Sequence, residues 1–105
     1  VANVYPTFTY ADYPERWTAS APDELRESCQ QYRKSLYLWR EQQLAAEPYA
    51  LGGNITLLDC YIAAMYSWGP RREWFAAHTP KFAAVAQAVY RRAELQQVLR
   101  DNNLL

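Results

Sequence analysis

The chain has 105 residues, half of them hydrophobic, and its eleven basic residues balance eleven acidic ones. This length suffices for one hydrophobic core, so we expect a single domain over residues 1–105. The basic residues are scattered or paired, as in Arg71-Arg72, and form no footprint that would neutralise phosphates. We therefore expect no nucleic-acid partner.

The longest nearly uncharged segment, residues 54–70, is interrupted by Asp59 and falls short of the roughly 20 apolar residues that cross a bilayer. Without a basic and then apolar leader pattern, the chain is expected to be cytoplasmic and to have no membrane partner. Cys29 and Cys60 both fall in helical patterns, so we interpret them as reduced core thiols. With His78 as the single histidine, we expect no metal site.

The first residues follow helical spacing without a preceding cap, which is typical of the middle of a helix: Val1, Val4, Tyr5 and Phe8. This pattern hints at a fragment, although valine can also follow a removed initiator methionine. Pro6 lacks a backbone N–H and crowds the preceding turn, so we expect the first helix to end or kink near it. Residues 9–19 show no period and are predicted to form a loop. Its aromatic side chains, which should pack back on the domain or line a cleft, are Tyr10, Tyr13 and Trp17.

The sequence Ser20-Ala21-Pro22-Asp23 has the S-x-x-D form of a capping box and predicts the start of a long helix. Two stripes in this helix follow helical spacing. The stripe expected to pack inside consists of Leu25, Cys29, Tyr32, Leu36 and Trp39. The stripe expected either to be solvated or to meet a partner subunit consists of Arg26, Gln30, Arg33, Tyr37 and Arg40.

From Leu57 to Trp68 nearly every residue is apolar, which predicts a helix at the centre of a bundle. Gly69 can end this helix in a left-handed conformation, and Pro70 suits the first position of the next element.

A short helix over residues 71–78 should follow, with His78 at its C-terminus offsetting the helix dipole rather than acting as a base. Thr79-Pro80 then predicts the cap and first position of another helix. Its inward stripe is Phe82, Val85, Ala86, Val89 and Tyr90. A last helix, ending at Asn102-Asn103, is indicated by Leu95, Val98 and Leu99. No segment alternates long enough to predict a strand, so the fold is expected to be all-α, with five to six helices around the central helix 57–68.

The stretch PYALGGNITLLDC, residues 48–60, admits three interpretations. A phosphate loop requires glycine followed by Lys-Ser/Thr, or a G-x-G-x-x-G fingerprint, and neither is present. A catalytic carboxylate requires a second acid, a histidine or a metal, and Asp59 has none in its own helix. The third interpretation is structural.

In the structural interpretation, Thr56 is the N-cap and Asp59 closes a T-x-x-D capping box at the positive end of the helix dipole. Ile55 and Cys60 would form the hydrophobic staple. Gly52 and Gly53 would allow the tight turn that leads into the helix. This interpretation gives every residue of the stretch a use and is the one that we favour.

The stretch PYALGGNITLLDCYIAAM also resembles the entrance to the core helix in the C-terminal domain of glutathione S-transferases. The resemblance continues through WGPRREWFAAHTPKFAAVAQAVYRRAELQQVL, which has the family's order of a break, a short helix, a proline-started helix and a small terminal helix. Upstream, VYPTFTYADYPERW looks like the end of the first helix of that domain in certain bacterial members. The resemblance thus covers essentially the whole chain.

The resemblance implies a parent activity of glutathione addition to hydrophobic electrophiles, or a related thiol transfer, with glutathione as co-substrate. The α domain would form the apolar substrate wall and much of the contact in a possible homodimer. Candidates for the wall are Tyr5, Phe8, Tyr10, Met65 and Trp68, with ordinary core packing as the alternative, above all for Met65 and Trp68.

The family's thioredoxin-like N-terminal domain, which binds glutathione and activates its thiol, is missing from this sequence, as is the start of the first helix of the α domain. We therefore expect no catalytic residue and no cofactor-binding residue here, and no conjugation by the chain alone. A different class of function is also open, since domains of this fold serve as non-catalytic modules that assemble protein complexes.

Overall fold

The computed structural model describes residues 3–68 and 70–104. Within these ranges the chain forms six α-helices and two short 3-10 helices, and no strand, which confirms the all-α prediction. The α-helices are α1 (Val4–Asp12), α2 (Pro22–Glu41), α3 (Leu57–Met65), α4 (Arg72–His78), α5 (Pro80–Tyr90) and α6 (Gln96–Asp101). The 3-10 helices are Pro14–Arg16 and Ala93–Leu95.

The backbone groups into two compact units, one that extends to Arg40 and a second that begins at Glu41. The expectation of a single domain stays a prediction. Among the described residues, no helix combines the length and the apolar character needed to cross a membrane.

In the first unit, α1 corrects two expectations. The helix passes through Pro6 and ends at Asp12, and residues 14–16 form a 3-10 helix where a loop was predicted. Pro6 is the third residue of α1, in the turn whose N–H groups have no intrahelical acceptor, so its missing donor costs the helix nothing.

Helix α2 begins one residue later than its sequence predicted. The Ala21 carbonyl accepts the N–H of Leu25, which makes Ala21 the flanking residue and Pro22 the first helical one. A capping box needs its acid at the third helical position, which is Glu24 in this helix. Asp23 is at the second position, so the predicted box between Ser20 and Asp23 does not match the start of the helix. The Asp23 carboxylate instead accepts a bond from Arg26, at 3.3 Å.

The two predicted stripes of α2 are in part reversed in the second half of the helix, whereas Arg26 and Gln30 are exposed as expected. Arg33 and Tyr37, expected on the surface, are buried, whereas Tyr32 and Trp39, expected inside, are 55% and 59% exposed. The Arg33 guanidinium lies 3.4 Å from the ring centroid of Phe8, and its Nε donates to the Thr7 hydroxyl at 2.8 Å. Arg33 is buried because α1 offers it an aromatic face and an acceptor.

The second unit has its core where α3 and α5 pack together and α4 packs on α5. The predicted inward stripe of α5 is confirmed, since all its members are buried: Phe82, Val85, Ala86, Val89 and Tyr90. Phe82 stacks on Phe75 of α4, with ring centroids 4.9 Å apart. The Tyr90 hydroxyl donates to the Ala63 carbonyl of α3 at 2.7 Å.

Helix α3 is shorter and less buried than predicted. It ends at Met65 instead of Trp68, and the proposed stop at Gly69 lies outside the described residues. Leu57 and Tyr61 are 68% and 46% exposed, so the helix is apolar all round but covered on one side only. Cys60 is exposed as well, which makes the prediction of a core thiol wrong for Cys60, while Cys29 is half-buried.

The start of α5 has the predicted residues at its capping positions, with Thr79 at the N-cap and Pro80 first in the helix. The Thr79 hydroxyl, however, donates to the Phe75 carbonyl. The free N–H groups of α5 are bound by Glu41, whose carboxylate accepts from Lys81 and Phe82, both at 2.8 Å. A residue about forty positions upstream therefore caps this helix.

Candidate functional site

A cleft of about 450 Å³ opens in the first unit, where the last turn of α1, the first 3-10 helix and the first turns of α2 meet. Its lining residues are Tyr10, Trp17, Thr18, Ala21, Glu24, Leu25 and Ser28. The volume lies within the range of small-molecule sites, roughly 300 to 1,000 Å³.

Two aromatic rings form one wall of the cleft. The rings of Tyr10 and Trp17 meet edge to face, with centroids 5.0 Å apart and planes at 65°. This is a preferred arrangement for aromatic pairs, so each ring stabilises the orientation of the other. Both rings remain accessible, since Tyr10 is 40% and Trp17 56% exposed.

The turn that carries Trp17 is held by backbone bonds. The N–H groups of Trp17 and Thr18 both donate to the Pro14 carbonyl, at 3.0 and 3.1 Å. The Thr18 hydroxyl accepts the N–H of Ala21 at 3.4 Å, which connects this turn to the start of α2. The wall therefore rests on ordered backbone at both ends of the turn.

The five predicted substrate-wall residues lie in both units. In the first unit Tyr10 lines the cleft, Tyr5 is exposed on α1, and Phe8 carries the Arg33 guanidinium on its ring. In the second unit Met65 is buried and Trp68 is half-buried. Their assignment to a substrate wall stays a prediction.

Sequence reasoning pointed to the aromatic side of the cleft and missed its helical side. The sequence indicates Tyr10 and Trp17, because three aromatic residues in one predicted loop are too many for a solvated segment. Ala21, Glu24, Leu25 and Ser28 were missed as lining residues. Their spacing of three and four positions places them on one face of α2 and was the available signal.

The second unit contains a smaller cavity of about 300 Å³ at the start of α4, lined by Tyr66, Ser67, Arg71, Arg72, Glu73 and Asn103. Arg72 is already engaged there. Its Nη2 donates to the Leu104 carbonyl at 2.9 Å, and its guanidinium lies 5.1 Å from the Tyr66 ring centroid. Arg72 thus links the end of the described chain to Tyr66, the residue that follows α3. Because its guanidinium is already engaged, this cavity is less suited to ligand binding than the cleft of the first unit.

Asp59 is fully buried, and its carboxylate accepts three hydrogen bonds. The donors are the Thr56 N–H at 2.7 Å, the Thr56 hydroxyl at 3.2 Å and the Ala50 N–H at 2.7 Å. Thr56 is the N-cap residue of α3, with extended backbone. The Ala50 bond fastens the preceding turn, in which Gly52 has a φ of +140°, to the same carboxylate.

Two buried groups of α2 have shifted acid–base equilibria. Burial raises the pKa of Tyr37 well above its ordinary value because it disfavours the phenolate, although the charge of Arg33 opposes the shift. Burial lowers the pKa of Arg33, with nearby Tyr37 and Asp12 opposing. Neither group lines the cleft, and Arg33 stays protonated at neutral pH because its ordinary pKa is so high.

The remaining candidates for chemistry lie apart from the cleft. His78 ends α4, as predicted, and its ring lies 5.0 Å from that of Trp74. Ile55 is half-buried and Cys60 exposed, so the proposed staple between them stays a prediction. Within the described ranges, no group of three or more His, Cys, Asp or Glu side chains is placed to hold a metal ion.

Comparison with known proteins gives one informative match. Over 105 residues the chain is 52% identical to a protein of Escherichia coli strain K12 described as the uncharacterized GST-like protein YncG. The match covers 100% of this chain and 51% of that protein, so the chain spans about half the length of this relative. No protein-family model and no solved structure match the chain. The whole-chain identity and the all-helical fold confirm the resemblance to the glutathione S-transferase C-terminal domain.

Proposed function

We propose that this glutathione S-transferase-like chain is the α-helical half of a two-domain protein and supplies the apolar wall for an electrophilic substrate. The reaction of the whole protein would be glutathione conjugation or a related thiol transfer, a transferase activity suited to detoxification. The observation that carries this proposal is the 52% sequence identity, over all 105 residues, to a GST-like protein that is about twice as long.

The cleft of the first unit is the best place for that wall. Tyr10 and Trp17 offer two accessible ring surfaces, and Leu25 adds an aliphatic one. Such surfaces bind varied apolar compounds through contact area rather than through directed hydrogen bonds. Tyr5 and Phe8 lie on the same helix as Tyr10 but on other faces of it, outside the cleft lining, and Met65 and Trp68 belong to the second unit, so Tyr10 is the one predicted wall residue that lines this cleft.

Thiol activation would come from a thioredoxin-like partner domain rather than from this chain. A reactive thiolate needs a cationic, accessible setting. Cys60 is exposed but directly follows the Asp59 carboxylate, and Cys29 is half-buried on α2. His78 packs on Trp74 at the end of α4, away in sequence from both thiols.

The uncovered face of α3 is where we expect the thioredoxin-like domain to pack. Leu57 and Tyr61 are four residues apart on this helix and are both exposed, and Leu51 in the preceding turn is 70% exposed. Exposed apolar side chains grouped in this way mark protein contacts. A partner domain seated there would bury the helix face that the sequence predicts to be internal.

A second function, a non-catalytic module that assembles protein complexes, is favoured by a different observation. Tyr32 and Trp39 are exposed seven residues apart on α2, so they lie on one face of that helix. If this module function holds, the chain binds a protein through α2 and shows no affinity for apolar electrophiles. A homodimer through the same face is a further outcome that sedimentation would detect.

A conjugation assay tests the proposed function. The 105-residue chain, mixed with glutathione and an apolar aryl halide, should give no turnover above the buffer rate, whereas the same chain following its thioredoxin-like half should conjugate. The variant Cys60→Ser serves as a control, because the exposed Cys60 thiol can react once with the electrophile and imitate a slow rate. Glutathione-dependent turnover by the chain alone would contradict the assignment.

A further inference from the structure

The lining of the cleft carries charge of one sign only, which is negative. Among its seven lining residues Glu24 is the one charged side chain, and the polar remainder is supplied by Tyr10, Thr18 and Ser28. Glu24 is exposed in the first turn of α2, where it can approach a ligand in the cleft without a desolvation cost of its own. A cleft with aromatic and aliphatic surfaces and a single carboxylate in its lining can distinguish ligands by their charge.

The two arginines in the same stretch of sequence, Arg16 and Arg26, have contacts outside the cleft lining. Arg26 donates through Nε to the Ala11 carbonyl at 3.2 Å and pairs with Asp23 at 3.3 Å. The guanidinium of Arg16 lies over the ring of Tyr13, 4.5 Å from its centroid. Because both have contacts outside the cleft, neither neutralises Glu24 within it.

The surrounding sequence has the same bias. Residues 10–28 carry five carboxylates and two arginines, an excess of three negative charges in a chain whose formal net charge is zero. The carboxylates are Asp12, Glu15, Asp23, Glu24 and Glu27. Asp23 is paired with Arg26 and Asp12 acts on the charge of Arg33, so Glu24 in the lining is the carboxylate that acts most directly on a ligand, and its charge favours cations over anions.

We propose that this cleft selects planar aromatic cations, such as quaternised or protonated nitrogen heterocycles, over neutral and anionic aromatics of the same size. The inference rests on the proposed function, since it names the substrate class that the wall would take. The ring faces of Tyr10 and Trp17 attract a cation through their quadrupoles, and Glu24 supplies the opposite charge. Leu25 and Ala21 pack against the flat apolar part of the ligand.

Three probes of equal ring size test the selection: N-methylquinolinium, quinoline and quinoline carboxylate, titrated into the full chain by calorimetry at neutral pH. We expect N-methylquinolinium to bind about three- to tenfold more tightly than quinoline, as an accessible cation–π contact and an exposed ion pair allow. Quinoline carboxylate should bind most weakly.

Two pairs of matched variants locate the effect. Glu24→Gln should weaken N-methylquinolinium about two- to fivefold and leave quinoline unchanged. Glu27→Gln removes the same charge from α2 outside the cleft lining and should change neither probe by more than about twofold. Trp17→Ala should weaken both probes about three- to tenfold, whereas Trp39→Ala, which removes an equally exposed ring of α2, should weaken neither.

The outcomes separate this inference from the proposed function. Equal affinity for N-methylquinolinium and quinoline, or an affinity for the cation that Glu24→Gln leaves unchanged, would overturn the charge selection and leave the substrate wall in place. If Trp17→Ala leaves quinoline binding unchanged, or none of the three probes binds, the cleft is not the wall, and both proposals fail together.

Discussion

Asp59 shows how one buried carboxylate can organise the entrance to a helix. Its two oxygens accept hydrogen bonds from the Thr56 N–H, the Thr56 hydroxyl and the Ala50 N–H, so each oxygen of the buried carboxylate has at least one donor. We propose a purely structural role for this residue, because its donors, two backbone N–H groups and one hydroxyl, belong to the turn and the N-cap that it holds together.

Replacing Asp59 should therefore cost stability and not ligand binding. The variant Asp59→Ala leaves a buried N–H of Ala50 without its acceptor, and we expect a loss of about 3 kcal/mol in the free energy of unfolding. Denaturant titration measures it, with ligand affinity measured on the folded fraction. The control Asp101→Ala removes a carboxylate that is exposed in α6 and should cost under about 0.5 kcal/mol. A loss from Asp59→Ala no larger than that control would contradict the structural role.

The same residue shows what sequence can predict at this scale. Thr56 and Asp59 are three positions apart, so a local pattern suffices to place them together. The bond from Ala50 spans nine residues and depends on the turn through Gly52, which no local pattern specifies. The burial of Arg33 is a similar case, because it depends on the ring of Phe8 and the hydroxyl of Thr7 in another helix.

At the scale of elements, the sequence predicted where helices form but did not always predict which face of a helix is buried. The α5 stripe was correct because its members are aliphatic or aromatic and are covered by the neighbouring helices α3 and α4. In α2 the prediction failed for Arg33 and Tyr37 because arginine and tyrosine count as surface residues by composition, although their long apolar parts can be buried against a suitable partner. Periodicity identified both stripes of α2 but could not rank them.

Helix α5 also depends on a contact that no local pattern shows. The Glu41 carboxylate accepts the N–H groups of Lys81 and Phe82 and places a negative charge at the positive end of the helix dipole. Thr79, the predicted cap, directs its hydroxyl back to α4 instead.

Glu41→Gln should therefore weaken the start of α5. The amide keeps one acceptor and loses the charge, so we expect a loss of about 1 kcal/mol in the free energy of unfolding and faster hydrogen exchange at the Lys81 and Phe82 amides. Glu47→Gln, an exposed glutamate in the following loop, is the matched control. Unchanged exchange at those two amides in Glu41→Gln would show that the carboxylate is not the cap.

At the scale of the whole molecule, the exposed apolar side chains indicate where the chain can contact other protein surfaces. Both units uncover large apolar side chains, Tyr32 and Trp39 in the first and Leu57 and Tyr61 in the second. Sequence reasoning placed these residues inside because it assumed that every apolar face is covered within the chain. The GST-like relative is about twice as long as this chain, and under the proposed function a partner domain would cover the exposed pair of α3.

The fold class was predictable from helical spacing and punctuation, because α-helices depend on local pattern. The cleft was predictable in part, since its aromatic wall comes from one short segment, residues 10–17. Its helical wall depends on how the turn at Thr18 meets α2, which a sequence does not reveal.

The proposed substrate wall is tested most directly by a map of backbone amide shifts in the isotope-labelled chain, titrated with an unreactive aryl analogue of the electrophile in the absence of glutathione. We expect saturable shifts at the amides of Trp17, Ala21 and Ser28, with α5 unchanged. Shifts confined to α5 and α6, or none at saturating ligand, would contradict the claim that this domain provides the substrate wall through the cleft of its first unit.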